Sequence, residues 1–172
     1  MPRTTKAMLL AVLFVGSGLL TYQVYYWVSK TSADEYQLAL QLLTGLPFGI
    51  ACSLRFVRPR RWATLAVLLD CMIWVAAFRL GLALLNINPY FGMALAGALG
   101  AIGVTASTGL GCRVLWSRRT LAIVALVGAI AGAPFGLIMN RSRQENLILA
   151  ISFPLWQVAV GMCIWMSNER NS

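Results

Sequence analysis

One carboxyl group of this chain lies deep inside an apolar stretch, where an ionisable side chain usually has a function. The chain has five acidic residues, and only Asp70 falls well within a long hydrophobic run. Asp70 follows Arg61 by nine positions, which in a helix places it roughly 13 Å from that charged end. Because inserting an ionisable group at this depth costs about 3 kcal/mol, Asp70 should face a cavity or a partner. It would act either in proton coupling or as a neutral or paired structural acid.

Four further polar side chains could join Asp70 in a site for a small solute. Gln157 aligns with Asp70 when the chain is shifted by 87 positions, whereas Gly161 takes that place at a shift of 91. Arg79 lies on the opposite side of the helix from Asp70, and would either reach toward the aqueous boundary or line a path for an anionic solute. The candidate substrate-binding residues, with two more from the preceding apolar run, are Asp70, Gln157, Arg79, Gln41 and Thr44.

Residues for enzyme chemistry are scarce. The chain has no histidine, which removes the commonest general base and metal ligand. Its four cysteines lack Cys-x-x-Cys spacing and fall in apolar runs, which is typical of thiols that pack as small apolar groups. We therefore expect no catalytic residue, no metal and no cofactor, and a membrane enzyme acting on lipid phosphates is the least favoured alternative.

A five-residue pattern, Gly-x-Pro-Phe-Gly, interrupts two of the apolar runs, within TGLPFG (44–49) and AGAPFG (131–136). A proline inside a helix frees a carbonyl one turn earlier, and hydrocarbon cannot satisfy that group unless protein or a watery cavity covers it. The two breaks are therefore either packing kinks or the frame of a central binding site. The candidate helix-break residues are Gly45, Pro47, Phe48, Gly49, Gly132, Pro134, Phe135 and Gly136.

The elements that position these residues are long apolar helices. Only 11% of the residues are charged, against about 25% in soluble domains, which indicates an integral membrane protein in a single domain, 1–172. Six runs approach the roughly 20 residues that span a bilayer. They are Ala7–Val28, Tyr36–Leu54, Trp62–Leu85, Tyr90–Gly111, Thr120–Met139 and Asn146–Met166.

The repeated break divides the chain into halves of about 7–85 and 90–166. Since each half has three spans, an odd number, the second enters the membrane from the opposite side, and the fold predicted is an all-α, inverted 3+3 repeat. Basic residues concentrate on one predicted side, which places both termini in the cytoplasm. The predicted location is the cell (inner) membrane. We therefore expect the net charge of +9 to interact with lipid headgroups of the bilayer, and we do not expect binding to nucleic acid. The residues on that side are Arg3, Lys6, Arg55, Arg58, Arg60, Arg61, Arg113, Arg118, Arg119 and Arg170.

Small residues recur at helical spacing in the fourth and fifth spans, in patterns that allow close helix contact. This predicts either tight packing within the chain or a homodimer seam. The residues are Gly92, Ala96, Gly100, Gly103, Ser107 and Gly111 in the fourth span, and Gly128, Gly132 and Gly136 in the fifth.

The leading functional hypothesis is a small multi-pass membrane protein that transports a small solute, or a proton, between two inverted halves. Its plan resembles half of a major-facilitator transporter, in architecture alone. The alternative is a non-transporting subunit that scaffolds, regulates or captures substrate for a partner membrane protein. In size the chain is similar to the substrate-capturing subunits of vitamin transporters.

Overall fold

The chain is helical throughout the part that its computed structural model describes, which is residues 2–31, 37–57, 60–112, 116–140 and 145–171. No strand occurs in those ranges. A short 3₁₀ turn, Arg60–Trp62, precedes the third helix, and a 3₁₀ segment, Ala133–Asn140, continues the fifth. The helices are α1 Arg3–Thr31, α2 Gln37–Phe56, α3 Ala63–Ala83, α4 Pro89–Cys112, α5 Arg118–Gly132 and α6 Glu145–Asn171.

Five stretches of helix in the described residues are long and apolar enough to cross a membrane. A helix is the structure expected there, because hydrocarbon offers backbone groups no partner outside the chain. The architecture is therefore consistent with a helical membrane protein. The 20-residue α2, with Pro47 inside it, is not among the five. The second predicted span, Tyr36–Leu54, and with it the total of six spans, stays a prediction. The five are Arg3–Val28, Ala63–Ala83, Pro89–Leu110, Arg118–Leu137 and Leu147–Glu169.

Several residues used to predict the spans and their orientation lie outside the described ranges. They are Tyr36 at the start of the second predicted span, and the loop cations Arg58 and Arg113. The predicted orientation in the membrane stays a prediction.

Two helix starts are set by local sequence. Asn88 precedes α4, and its side-chain oxygen accepts a hydrogen bond of 3.0 Å from the Phe91 amide; Pro89 then occupies the first helical position, where its missing N–H is not needed. Ser117 caps α5 in the same way, accepting a 3.1 Å bond from the Thr120 amide. Such caps satisfy amides that the helix itself leaves without partners.

The six helices form a ring in which each packs on the next in sequence and α6 packs back against α1. Aromatic rings fill the interior: Phe14 is fully buried and contacts Phe48 edge-on, with 5.8 Å between centroids. Large apolar side chains such as Leu54 and Met72 point outward. Lipid can cover them in a bilayer without cost, so the outer surface fits a membrane environment.

The small residues of α4 and α5 make contacts within the chain. A Cβ added to Gly97 would overlap the carbonyl oxygen of Gly128, and one added to Gly132 would lie 2.9 Å from the Gly97 Cα. Backbone therefore meets backbone along α4 and α5, as the small-residue pattern allows. On its other face, α4 meets α3, where Gly92 lies against the Gly81 carbonyl.

Candidate functional site

Asp70 lies on the seam between α3 and α4, which run antiparallel. Residues that meet along this seam have numbers that sum to about 177, so the register is constant from one end to the other. The pairs, read from the acid outward, are Asp70 with Ser107, Ile73 with Gly103, Ala77 with Gly100, and Gly81 with Ala96.

The carboxyl of Asp70 is enclosed, with 2% of the residue exposed. Ser107 donates a hydrogen bond from Oγ to Asp70 Oδ1, and the same hydroxyl lies 2.9 Å from the Val104 carbonyl oxygen. The other carboxyl oxygen, Oδ2, is buried and has no hydrogen-bond partner among the described residues. Gly49 of the first motif packs here, since a Cβ on it would lie 3.2 Å from the Asp70 Cβ. The first motif therefore makes room for the acid.

Gln157 forms a second enclosed polar group, between α6 and α1. Ser17 donates to its Oε1 at 2.5 Å, and its Nε2 donates to Thr21 Oγ1 at 2.8 Å. Gln157 and Thr21 are both fully buried. Each end of this amide thus has a partner, unlike the Asp70 carboxyl.

The two polar groups occupy corresponding seams. A shift of 87 positions converts Asp70 into Gln157, and each residue bonds the first helix of the other half: Asp70 bonds Ser107 of α4, and Gln157 bonds Ser17 and Thr21 of α1. The hydrogen-bond partners of the two residues lie on different helices. Asp70 and Gln157 are therefore parts of two separate seams and not of one polar pocket.

The remaining polar candidates come together at the seam between α2 and α3. Arg79 donates from Nε to Gln41 Oε1 at 3.1 Å, and the bond is exposed. Thr44 donates to the Gln41 carbonyl at 2.7 Å, within its own helix. Sequence reasoning grouped these residues with Asp70, but in the structure their hydrogen bonds are made with one another.

The two Gly-x-Pro-Phe-Gly motifs present the same faces. In both, the glycines and phenylalanine are buried and the proline is partly buried. Both phenylalanines contact rings of α6: Phe48 lies 5.4 Å from Trp156, and Phe135 lies 5.0 Å from Phe153, between centroids. Pro47, by contrast, lines an outer groove of about 430 Å³ between α1 and α2.

A small cavity of about 40 Å³ lies inside the ring, where α3, α4 and the end of α5 meet α6. That volume would accept a few water molecules at roughly 10–15 Å³ each. Neither Asp70 nor Gln157 lines it, and a cavity with so apolar a wall stays dry. Its aromatic wall is made of Trp74, Phe78, Phe135 and Trp156, and its small-residue wall includes Ala77, Gly97, Gly100 and Gly132.

Sequence reasoning missed the partners of the two polar groups and most of the cavity wall. The small-residue pattern of the fourth span predicts only a packing role for Ser107 and does not point to Ser17. A pattern did exist: Thr21 aligns with Thr108 at the 87-residue shift, which marks a hydroxyl-bearing face on the first helix of each half. The aromatic wall of the cavity, including Trp74, Phe78 and Trp156, follows no such pattern, because aromatic residues are common in apolar spans.

The chain matches no protein-family model, no curated protein and no solved structure. Within the described ranges, no three His, Cys, Asp or Glu side chains are grouped closely enough to hold a metal ion.

Proposed function

We propose that this protein is a six-span inner-membrane transporter that moves a small uncharged solute through the space between two inverted three-helix halves. Both termini would be cytoplasmic, with the basic residues held at the anionic lipid surface. The small cavity inside the ring, here called the central cavity, would be the solute site.

Correspondence between the halves supports the inverted repeat. The motifs share one burial pattern, and the polar residues related by the 87-residue shift both bond across to the other half. A two-fold axis in the membrane plane would produce this relation, and transporters built on such axes bind their solutes between the repeats.

The observation that carries the proposal is the position and lining of the central cavity. Its wall includes Trp74 from the first half and Gly132, Phe135 and Trp156 from the second, so it lies between the proposed repeats. Trp156 also contacts Phe48 of the first motif. Because burying an unpaired charge in such a wall would be costly, the solute would be uncharged.

The enclosed polar groups would have a supporting role in this account. Asp70 and Gln157 would hold the halves together at their two seams, and opening one seam would require its hydrogen bonds to break. A proton on Asp70 is one means of coupling. Arg79, Gln41 and Thr44 would stabilise the outer part of the α2/α3 seam.

Solute flux in reconstituted vesicles tests the proposal. Stopped-flow light scattering would measure permeability to uncharged probes of decreasing polarity, glycerol, 1,2-propanediol and 1,2-butanediol, with potassium as the charged comparison. We expect one or more of the uncharged probes to cross at least about tenfold faster than in protein-free vesicles. Ala77→Leu, which fills the cavity, should remove that excess, whereas Met72→Leu on the lipid-facing side of α3 should not. Flux that persists in Ala77→Leu, or excess flux of potassium alone, would contradict the proposal.

One observation favours the second candidate, a non-transporting subunit that captures a ligand or scaffolds a partner. Both polar groups are buried within the ring, and the apolar cavity would hold a ligand without a polar path leading from it. Purification in a mild detergent separates the two candidates. A partner protein recovered in fixed stoichiometry, together with the absence of flux, would favour the subunit.

A further inference from the structure

Two spaces meet at one residue of α3. An apolar groove of about 220 Å³ runs along the outside of the α3/α4 seam, and Ala77 lines both that groove and the central cavity. The groove is otherwise bounded by Ile73, Ala76, Leu80, Leu99 and Gly103. No other residue is shared between the linings of these two spaces.

The wall at Ala77 is thin because the residue that faces it is a glycine. A Cβ on Gly100 would lie 3.7 Å from the Ala77 Cβ and 3.3 Å from Cζ2 of Trp156. The Trp156 ring is therefore directly behind the seam. Nearer to Asp70, the Ile73 side chain covers Gly103 and closes the seam. At this point Ala77 lies between the groove and the cavity, with Gly100 opposite it.

The groove opens toward the surface that lipid would cover. Ala76 and Leu80 are exposed, and Leu99 is 41% exposed. These side chains present no charge or hydrogen-bonding group. A molecule that reached Ala77 from this side would have to be soluble in hydrocarbon.

A polar atom in the cavity wall narrows the chemistry of that molecule. Trp156 is 3% exposed, and its Nε1 has no hydrogen-bond partner among the described residues. Nε1 and Cζ2 are both bonded to Cε2, so the edge that approaches Gly100 also carries the N–H. A buried donor without an acceptor costs about 1–3 kcal/mol, which a ligand with an acceptor atom would recover.

We propose that the solute is an uncharged apolar molecule carrying a hydrogen-bond acceptor, and that it reaches the central cavity from the bilayer, between α3 and α4, past Ala77 and Gly100. This rests on the proposed function, because it takes the central cavity as the solute site. The cavity is small, so the bound molecule would extend through the opened wall into the groove. The Trp156 N–H would donate to its acceptor.

The route is tested by the rate at which a quencher dissolved in lipid reaches the cavity tryptophans. All variants would carry Trp27→Phe, Trp62→Phe, Trp116→Phe and Trp165→Phe, so that only the cavity tryptophans, Trp74 and Trp156, remain. Vesicles loaded with 4-bromoacetophenone would be mixed with protein in nanodiscs, and quenching followed by stopped flow. Ala76→Phe fills the groove without lining the cavity and should slow quenching about tenfold. Met72→Phe, exposed elsewhere on α3, should leave the rate unchanged, and equal rates in the two variants would overturn the route.

The acceptor is tested by comparing two probes that differ only in the carbonyl. In the same background, Trp156→Phe should weaken binding of 4-bromoacetophenone about tenfold, as read by quenching of Trp74. Binding of 1-bromo-4-ethylbenzene should not change. Equal effects on the two probes would contradict the proposed hydrogen bond from the Trp156 N–H to the solute. If quenching follows this pattern while vesicles show no solute flux, the binding site stands and the transport proposal fails.

Discussion

The two Gly-x-Pro-Phe-Gly motifs have one burial pattern but pack against different neighbours. Gly45 and Gly49 of α2 face α3, where added Cβ atoms would meet Cys71, Trp74 and Asp70. Gly132 and Gly136, which lie 87 positions later, face α4. As a result, α4 and α5 touch backbone to backbone, whereas α1 and α2 leave a groove of about 430 Å³ between them.

Residues 87 positions apart differ in size at two places near these helices. At the 87-residue shift, Gly97 corresponds to Leu10 and Gly128 corresponds to Gln41. Glycines let α4 and α5 approach closely, whereas Gln41 bonds Arg79 of α3. The two motifs therefore share a burial pattern, and residues outside the motif decide how closely a neighbouring helix approaches.

The largest effect should come from adding a larger side chain to the seam between α4 and α5. Gly97→Val would force side-chain atoms into the Gly128 backbone, and overpacking against backbone should cost more than about 3 kcal/mol. Thermal unfolding in detergent and size-exclusion profiles would show loss of folded protein.

Gly16 provides the matched control in the first half, because nothing lies within 4 Å of an added Cβ there. Gly16→Val should fold as the native chain does. Equal damage from the two variants would contradict the difference between the seams.

Next in size is a contrast between the two polar seams. Gln157→Leu removes two buried hydrogen bonds and should lower the free energy of unfolding by about 1 kcal/mol, since such bonds in membrane proteins average roughly 0.6 kcal/mol each. Asp70→Asn removes a buried ionisable group whose Oδ2 has no partner among the described residues, and should leave stability unchanged or raise it. A stability loss of similar size in Asp70→Asn, measured by thermal unfolding, would show that the seams are energetically alike.

A smaller effect is expected from the prolines. Pro47 lies inside a continuous α-helix, so Pro47→Ala restores an N–H that can donate one turn back and should raise stability by about 1 kcal/mol. Pro134 lies in 3₁₀ backbone, where hydrogen-bond geometry is poorer, and Pro134→Ala should gain less. The order of the two melting temperatures checks this. A larger gain in Pro134→Ala would contradict it.

The smallest effect should be at Gln41, the counterpart of Gly128. Gln41→Ala removes only the exposed bond from Arg79 and should change the free energy of unfolding by less than about 0.5 kcal/mol. Gly128→Ala, one methyl group at the equivalent position, should cost several times more because its Cβ would lie 2.5 Å from that of Ala101. Similar losses in the two variants would contradict the close contact of α4 and α5 at Gly128.

Much of the fold was predictable because it depends on local composition. Long apolar runs with few charges predict helices, and the predicted fourth span, Tyr90–Gly111, lies within α4. The burial of Asp70 was also predictable from its depth in an apolar run. Its partner Ser107, 37 residues away, was not, because a serine in an apolar run predicts neither a contact nor its direction.

The candidate site was predicted only in part. Gly132 and Phe135, identified as helix-break residues, do line the cavity. In the structure, Asp70, Gln157 and Arg79 do not bond one another. Their hydrogen bonds lie at three different seams, α3/α4, α1/α6 and α2/α3 respectively. Periodicity assigns a residue to a face of its own helix, but it does not say which helix that face will meet.

By itself, the sequence determined that the chain is helical, that its surface suits hydrocarbon, and that two similar breaks lie in its two halves. Tertiary structure decided that the breaks direct their phenylalanines toward α6, that the acid is sealed against Ser107, and that Ala77 separates a lipid-facing groove from the cavity. The physical reason is one of range. Backbone hydrogen bonding and burial act along a single helix, whereas the approach of two helices depends on the side chains that each presents to the other.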